Sequence, residues 1–163
     1  MKILGNINSR QILFCNIRTD KDWFLQVPQN SWIAFTIADK EDKDLLSETT
    51  KKCLDNGVCY TCSTGELGSD TEDYFDEEIA WRETRKEEET NEPADFDKTP
   101  MTTYHEDFEE GFWFATTVAY ATINDKYIIT DKVVCIDFTK RGVEESIINL
   151  ITKINSGWLP SDK

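Results

Sequence analysis

The chain has 163 residues, of which 32 are acidic and 18 basic, giving a formal charge of −14 and an isoelectric point near 4.4. Such a surface repels nucleic acid and anionic membranes, which are gripped chiefly through basic patches, and attracts basic proteins or metal ions. The length suits one domain spanning residues 1–163, and five Trp, five Tyr and nine Phe supply core material despite 31% charged residues.

No stretch approaches the roughly 20 apolar residues that span a bilayer. The opening MKILGNINSRQILFCNIR is broken by Gly, Asn, Ser and Arg before a leader core develops, so the expected location is the cytoplasm. The five cysteines (Cys15, Cys53, Cys59, Cys62 and Cys135) are odd in number and sit mostly in apolar runs. That suits reduced, buried thiols better than a disulfide framework.

In chain order, ILFCNI at 12–17 predicts a buried strand, and TDKDWFLQVPQN a connection with room for one helical turn before Pro28. WIAFTIAD at 32–39 predicts a second strand, β-branched and aromatic, closing on an acid. Residues 43–56 predict a helix with Leu45, Leu46, Thr49, Cys53 and Leu54 on its apolar face and Asn56-Gly57 as its stop. VCYTC at 58–62 predicts the third strand. Ser69 and Glu72 have capping-box spacing, so the next helix is expected to start there, burying Tyr74, Phe75 and Ile79. KEEETNEPADFDKTP, residues 86–100, is acidic and lacks apolar periodicity, which predicts a mobile loop.

MTTYH at 101–105 predicts a short strand. Residues 108–123 are rich in β-formers, yet Asp107 and Glu110 have capping-box spacing and Phe108, Phe112, Ala115 and Ala119 share one helical face, so the reading is helix. The alternative is a strand that pairs with 127–130 through an Asn124-Asp125 turn. VVCIDF at 133–138 is the last predicted strand, and Val143, Ile147, Leu150, Ile151 and Ile154 mark a helix ended by Gly157. Near-continuous apolar strands alternating with amphipathic helices predict an α/β fold. The expected form is a small doubly wound, mostly parallel sheet of the Rossmann or flavodoxin kind, with helices on both faces.

Three pieces together resemble an uncharacterised family of small bacterial α/β domains: WIAFTIAD, CYTCSTG feeding YFDEEI, and MTTYHED running into FWF. The resemblance implies the α/β fold and brings no activity with it. In size and acidity the chain is also similar, at the level of class, to bacterial immunity proteins that neutralise toxins.

In open α/β sheets ligands bind outside the carboxyl ends of the strands. Those ends carry Asp39, Cys62 with Ser63, His105 and Asp137, an acid–thiol or acid–hydroxyl set around the chain's one histidine. Such a set is a candidate nucleophilic site for a small hydrolase or transferase. Against it, polar residues end strands everywhere, and no nucleophile-elbow motif is present. Cys59-x-x-Cys62 lies in a strand, where residues three apart face opposite ways, so it reads as structural rather than as a redox or metal pair. Thr64–Ser69, TGELGS, resembles an anion-binding turn but lacks the G-x-G-x-x-G spacing and is surrounded by acids. Neither a cofactor nor a bound metal is expected.

The acidic run is the strongest signal. From Glu66 to Asp97 there are 14 acids against three bases, so −11 of the charge falls in 32 consecutive residues. Charge runs are usually solvated faces, but one this concentrated can steer a basic partner. The expected partner-binding residues are Glu72, Asp73, Asp76, Glu77, Trp81, Glu87, Glu88 and Glu89, with Tyr74, Phe75 and Phe96 as further aromatic anchors. The favoured function is a non-enzymatic binding protein, most concretely an immunity-type inhibitor of a basic effector such as a nuclease toxin. The hydrolase or transferase is the alternative.

Overall fold

A computed structural model describes residues 1–123 and 126–160. Over the described residues the chain builds a six-stranded, mostly parallel sheet and four α-helices. Its strands are β1 (Lys2–Ile7), β2 (Arg10–Asn16), β3 (Trp32–Ile37), β4 (Val58–Thr64), β5 (Met101–Tyr104) and β8 (Lys132–Asp137), in the order β1-β2-β8-β3-β4-β5. A separate antiparallel pair is formed by β6 (Ala121–Ile123) and β7 (Lys126–Ile128).

The order follows from burial. Every residue of β3 is buried, so it must lie inside the sheet with both faces covered, as its unbroken apolar run predicts. Ile33, Phe35 and Ile37 enter one core with Phe112, Ile147 and Leu150, while Trp32 and Ala34 enter a second core with Leu46, Cys53 and Phe75. Of the five strands read from sequence, β2, β8, β3 and β4 are neighbours and all parallel, and the short MTTYH strand is β5, parallel to β4. β1 was not foreseen. It pairs antiparallel with β2, carries a register shift between Ile3 and Gly5, and buries only Ile7 completely.

Helices α1 (Lys43–Asp55) and α2 (Gly68–Thr90) cover one face, and α3 (Phe108–Trp113) and α4 (Glu144–Asn155) the other. The turn into α2 requires Gly65: its φ is +94°, and a Cβ there would sit 2.4 Å from the Ala38 carbonyl oxygen. Ser69 does not cap this helix as expected. The helix opens at Gly68, with Leu67 as a cap that has no side-chain bond to give.

Nor does α2 end where apolar periodicity ends. It runs through 86–90, the start of the stretch read as loop, because Glu, Arg and Lys are good helix formers and pair one turn apart, as in Arg85–Glu89 and Lys86–Glu83. Asn91, at φ 57°, closes it. The chain then folds back, the Asp95 backbone N–H donating to Glu83 at 3.1 Å.

The ambiguous segment is both helix and strand. Asp107 caps α3 by accepting from the Glu109 and Glu110 backbone N–H groups, and the helix widens into a π-helix over Phe114–Val118. It stops at Val118, short of Ile123, and β6 follows. Arg10 holds this helical end: its guanidinium donates to the Ala115 carbonyl at 2.9 Å and to that of Ala119. The Asn124-Asp125 turn lies outside the described residues.

Candidate functional site

The strand ends do bring Asp39, Cys62, Ser63, His105 and Asp137 to the carboxyl edge of one sheet. Their side chains are engaged separately. Both oxygens of the buried Asp137 are occupied, Oδ1 accepting from the Thr139 N–H at 2.8 Å and its hydroxyl at 2.7 Å, Oδ2 from Asn16 at 2.8 Å and the Val143 N–H at 3.3 Å. This carboxylate anchors the loop that leads into α4. Asp39 is held by Arg141 at 2.9 and 3.3 Å. Ser63 accepts from the Thr36 hydroxyl at 3.0 Å.

Cys62 is wholly buried, and burial pushes its thiol up to about 12. A thiol that far from ionisation is no nucleophile at neutral pH. His105 meets this set only through its backbone N–H, which donates to the Ser63 carbonyl at 2.9 Å. Its ring lies 4.7 Å from that of Phe114, and Nε2 is buried with no hydrogen-bond partner. Desolvation lowers the imidazole pKa, with Glu110 opposing. The expected contact from this imidazole to an acid, thiol or hydroxyl is therefore not made: the acids are taken by other residues.

Further ion pairs line this edge. Arg18 donates to the Phe138 carbonyl at 2.6 Å and to the buried Asp42, Lys140 pairs with Glu41, and Lys40 lies 3.8 Å from Glu66. These bases were missed in the sequence. Their signal was available, since Arg18, Lys140 and Arg141 lie two to four residues past strand ends in a chain short of bases. The TGELGS turn is spent on structure too, the Leu67 N–H donating to the Ala38 carbonyl at 3.0 Å.

A cleft of about 330 Å³ lies at the opposite, amino edge, where Ser31, Val58 and Cys59 meet Arg82 of α2, Lys98 and Ile128. Cys59 is the least buried of the five free thiols and donates to the Trp32 carbonyl at 3.2 Å. Both cations of this cleft are already paired, Arg82 with Asp55 and Glu78, and Lys98 with Asp95. Among the described residues no group of three or more His, Cys, Asp or Glu is arranged to hold a metal ion.

Helix α2 supplies the charged surface. Its 23 residues carry ten acids and three bases, and the bases are spent on intrahelical or α1 partners. At 1.5 Å per residue it is about 34 Å long, against about 23 Å for β4. Thr71, Phe75 and Ile79 are buried, and no residue after Ile79 is. Arg82 and Glu83 still tie the helix to α1 and to Asp95, and the exposed Thr84–Thr90 project past the core. Asp73, Asp76, Glu77, Glu87, Glu88 and Glu89 are exposed, as is Trp81 at 55%, while Glu72 is half-buried. Phe75 is in the core and is no surface anchor; Phe96 is exposed.

Residues 12–154 match a family described as a domain of unknown function, DUF7684. The chain belongs to that family. The DUF7684 span opens in β2 and closes in α4, so it contains the carboxyl-edge ion pairs, the cleft and all of α2, and leaves out β1. A comparison with curated proteins finds no match. No helix among the described residues is long and apolar enough to cross a membrane.

Proposed function

We propose that the protein is a non-enzymatic binding protein that holds a basic protein partner on the acidic outer face of α2. An immunity-type inhibitor of a cationic effector, such as a nuclease toxin, is its most concrete form. One observation carries the reading: α2 continues for three turns after its last buried residue, and this arm bears exposed acids beside an exposed Trp81. No residue of that arm enters the core, and Trp81, which carries the Arg85 guanidinium 5.3 Å from its ring centroid, keeps over half of its surface exposed among carboxylates as an aromatic anchor for a partner.

The winding of the sheet supports it by subtraction. We read it as a small doubly wound sheet of the Rossmann or flavodoxin kind, in which a ligand would enter where the winding reverses, here between β8 and β3. That crevice is bridged by the Phe138 N–H on the Ile37 carbonyl at 3.0 Å and by the Arg141–Asp39 and Arg18–Asp42 pairs. Little room is left there for a small molecule, whereas the outside of α2 is open.

The test is charge reversal of Asp73, Glu77 and Glu88 to Lys, leaving Asp76 in place because it accepts from Thr102 at 2.6 Å. Association with the basic protein retained from native lysate should slow by about tenfold or more at low salt, with dissociation little changed. An unchanged association rate would reduce the acidic face of α2 to a solvated one.

A further inference from the structure

The six-stranded sheet ends on β5, beside β4, and nothing in the sheet pairs with its outer side. The ladder is parallel, and the His105 N–H donates to Ser63, so Thr103 and His105 turn their backbone groups to β4. Thr102 and Tyr104 turn theirs outward. The Glu72 carboxylate lies close enough to the Tyr104 N–H for that group to favour its charged form. The Thr102 N–H and the Thr102 and Tyr104 carbonyls have no backbone partner among the described residues.

The two flanks of this edge differ in chemistry. On the α2 side stand Glu72, against the Tyr104 N–H, and Asp76, on the Thr102 hydroxyl. Burial and the neighbouring Asp76 and Asp73 push the Glu72 carboxyl up, the mark of a site short of positive charge. On the α3 side are the exposed Met101 and Tyr120, the latter close enough to Tyr60 to affect its hydroxyl, with the Tyr127 ring 5.3 Å beyond Tyr120.

We propose that the outer edge of β5 is a strand-addition site for an extended segment of a basic protein partner, with basic and apolar residues alternating. Side chains of an added strand alternate between faces. Basic residues would therefore fall against Glu72 and Asp76 and apolar ones against Met101 and Tyr120. A second copy of this chain is the wrong occupant, because edge-to-edge pairing would set two rows of Glu72 and Asp76 against each other. Pro100 and the four-residue length of β5 keep the edge from recruiting strands indiscriminately. The inference rests on the acidic-surface reading and adds the mode of capture.

The probe is an acetylated, amidated peptide of alternating lysine and valine. Its control is the same peptide N-methylated on every lysine and valine backbone amide, with equal charge but no donors on either edge, so that it serves for parallel and antiparallel addition alike. Titration at low salt should show the methylated peptide binding about tenfold or more weaker, the loss expected for two or three hydrogen bonds. The unmethylated peptide should slow hydrogen exchange at the Thr102 amide, a readout that needs no variant. Equal affinities, or an unprotected Thr102 amide, would overturn strand addition and leave the acidic surface standing. No binding of either peptide would remove both readings. Self-association of the free chain through β5, seen as a dimer that protects Thr102, would overturn the choice of occupant.

Discussion

Arg18, two residues past β2, places its guanidinium on the buried carboxylate of Asp42 at the mouth of α1. Asp42 also accepts the Asp39 backbone N–H at 2.7 Å, so one carboxylate ties the ends of β2 and β3 to the helix start. Removing Arg18 leaves that charge uncompensated. Arg18→Met should cost about 3 kcal/mol in urea unfolding, and adding Asp42→Asn should recover part of the loss, since no buried charge then remains.

Two glycines at positive φ separate strain from collision. Gly65 (φ +94°) has the Ala38 carbonyl 2.4 Å from where a Cβ would be, whereas Gly142 (φ +69°) has nothing within 4 Å. Gly142→Ala should cost about 1 kcal/mol, from the left-handed backbone alone. Gly65→Ala should cost about 3 kcal/mol or more, because backbone must move in the turn between β4 and α2. Unfolding midpoints of the two variants decide it.

Cys59 is the thiol that should react in the folded protein. Its pKa is pushed up to about 11 by burial, those of Cys15 and Cys62 to about 12, and those of Cys53 and Cys135 well above the ordinary value. A disulfide reagent at mildly alkaline pH should modify one thiol slowly, and all five after unfolding. Cys59→Ser should abolish the native phase. Fast labelling of two or more thiols in the folded state would contradict these burials.

His105 should make the protein acid-sensitive. Its folded pKa is lowered by desolvation, so above the unfolded value of 6.5 the imidazole is neutral in both states and costs nothing. As pH falls below 6.5 the unfolded chain takes up the proton first, and stability declines until the folded pKa is passed. His105→Phe, which keeps a ring against Phe114, should flatten that decline. The wild-type and variant stability curves should coincide in shape above neutrality and diverge below it.

The interior strands were legible because parallel strands covered on both faces must be apolar throughout, and WIAFTI and VVCIDF could hardly be anything else. β1 was not, because an edge strand that fully buries only Ile7 has no such run to display. The last five residues of α2, 86–90, fall in the stretch that reads as loop for a related reason: periodicity reports burial, and there a helix stands on propensity and ion pairs alone. In Phe108–Ile123, β-propensity and a helix cap conflicted, and the chain satisfied both in succession. At the carboxyl edge, position along the strands located the polar residues correctly. Which of them touch was decided by residues far away in sequence, Arg141 taking Asp39 from 102 residues away and Asn16 taking Asp137 from 121.

The projecting arm of α2 also separates two kinds of selection. Substitutions up to Ile79 are answerable to the core, and Arg82 and Glu83 to their bonds with Asp55 and the Asp95 N–H, while Thr84–Thr90 are all exposed. Sequence there can drift, lengthen by a turn or change its charge without disturbing the sheet, so a changing partner could be followed at one end of a helix whose other end is fixed. A lineage under pressure to track a rival protein would accumulate its differences in Thr84–Thr90 faster than in Thr71–Ile79.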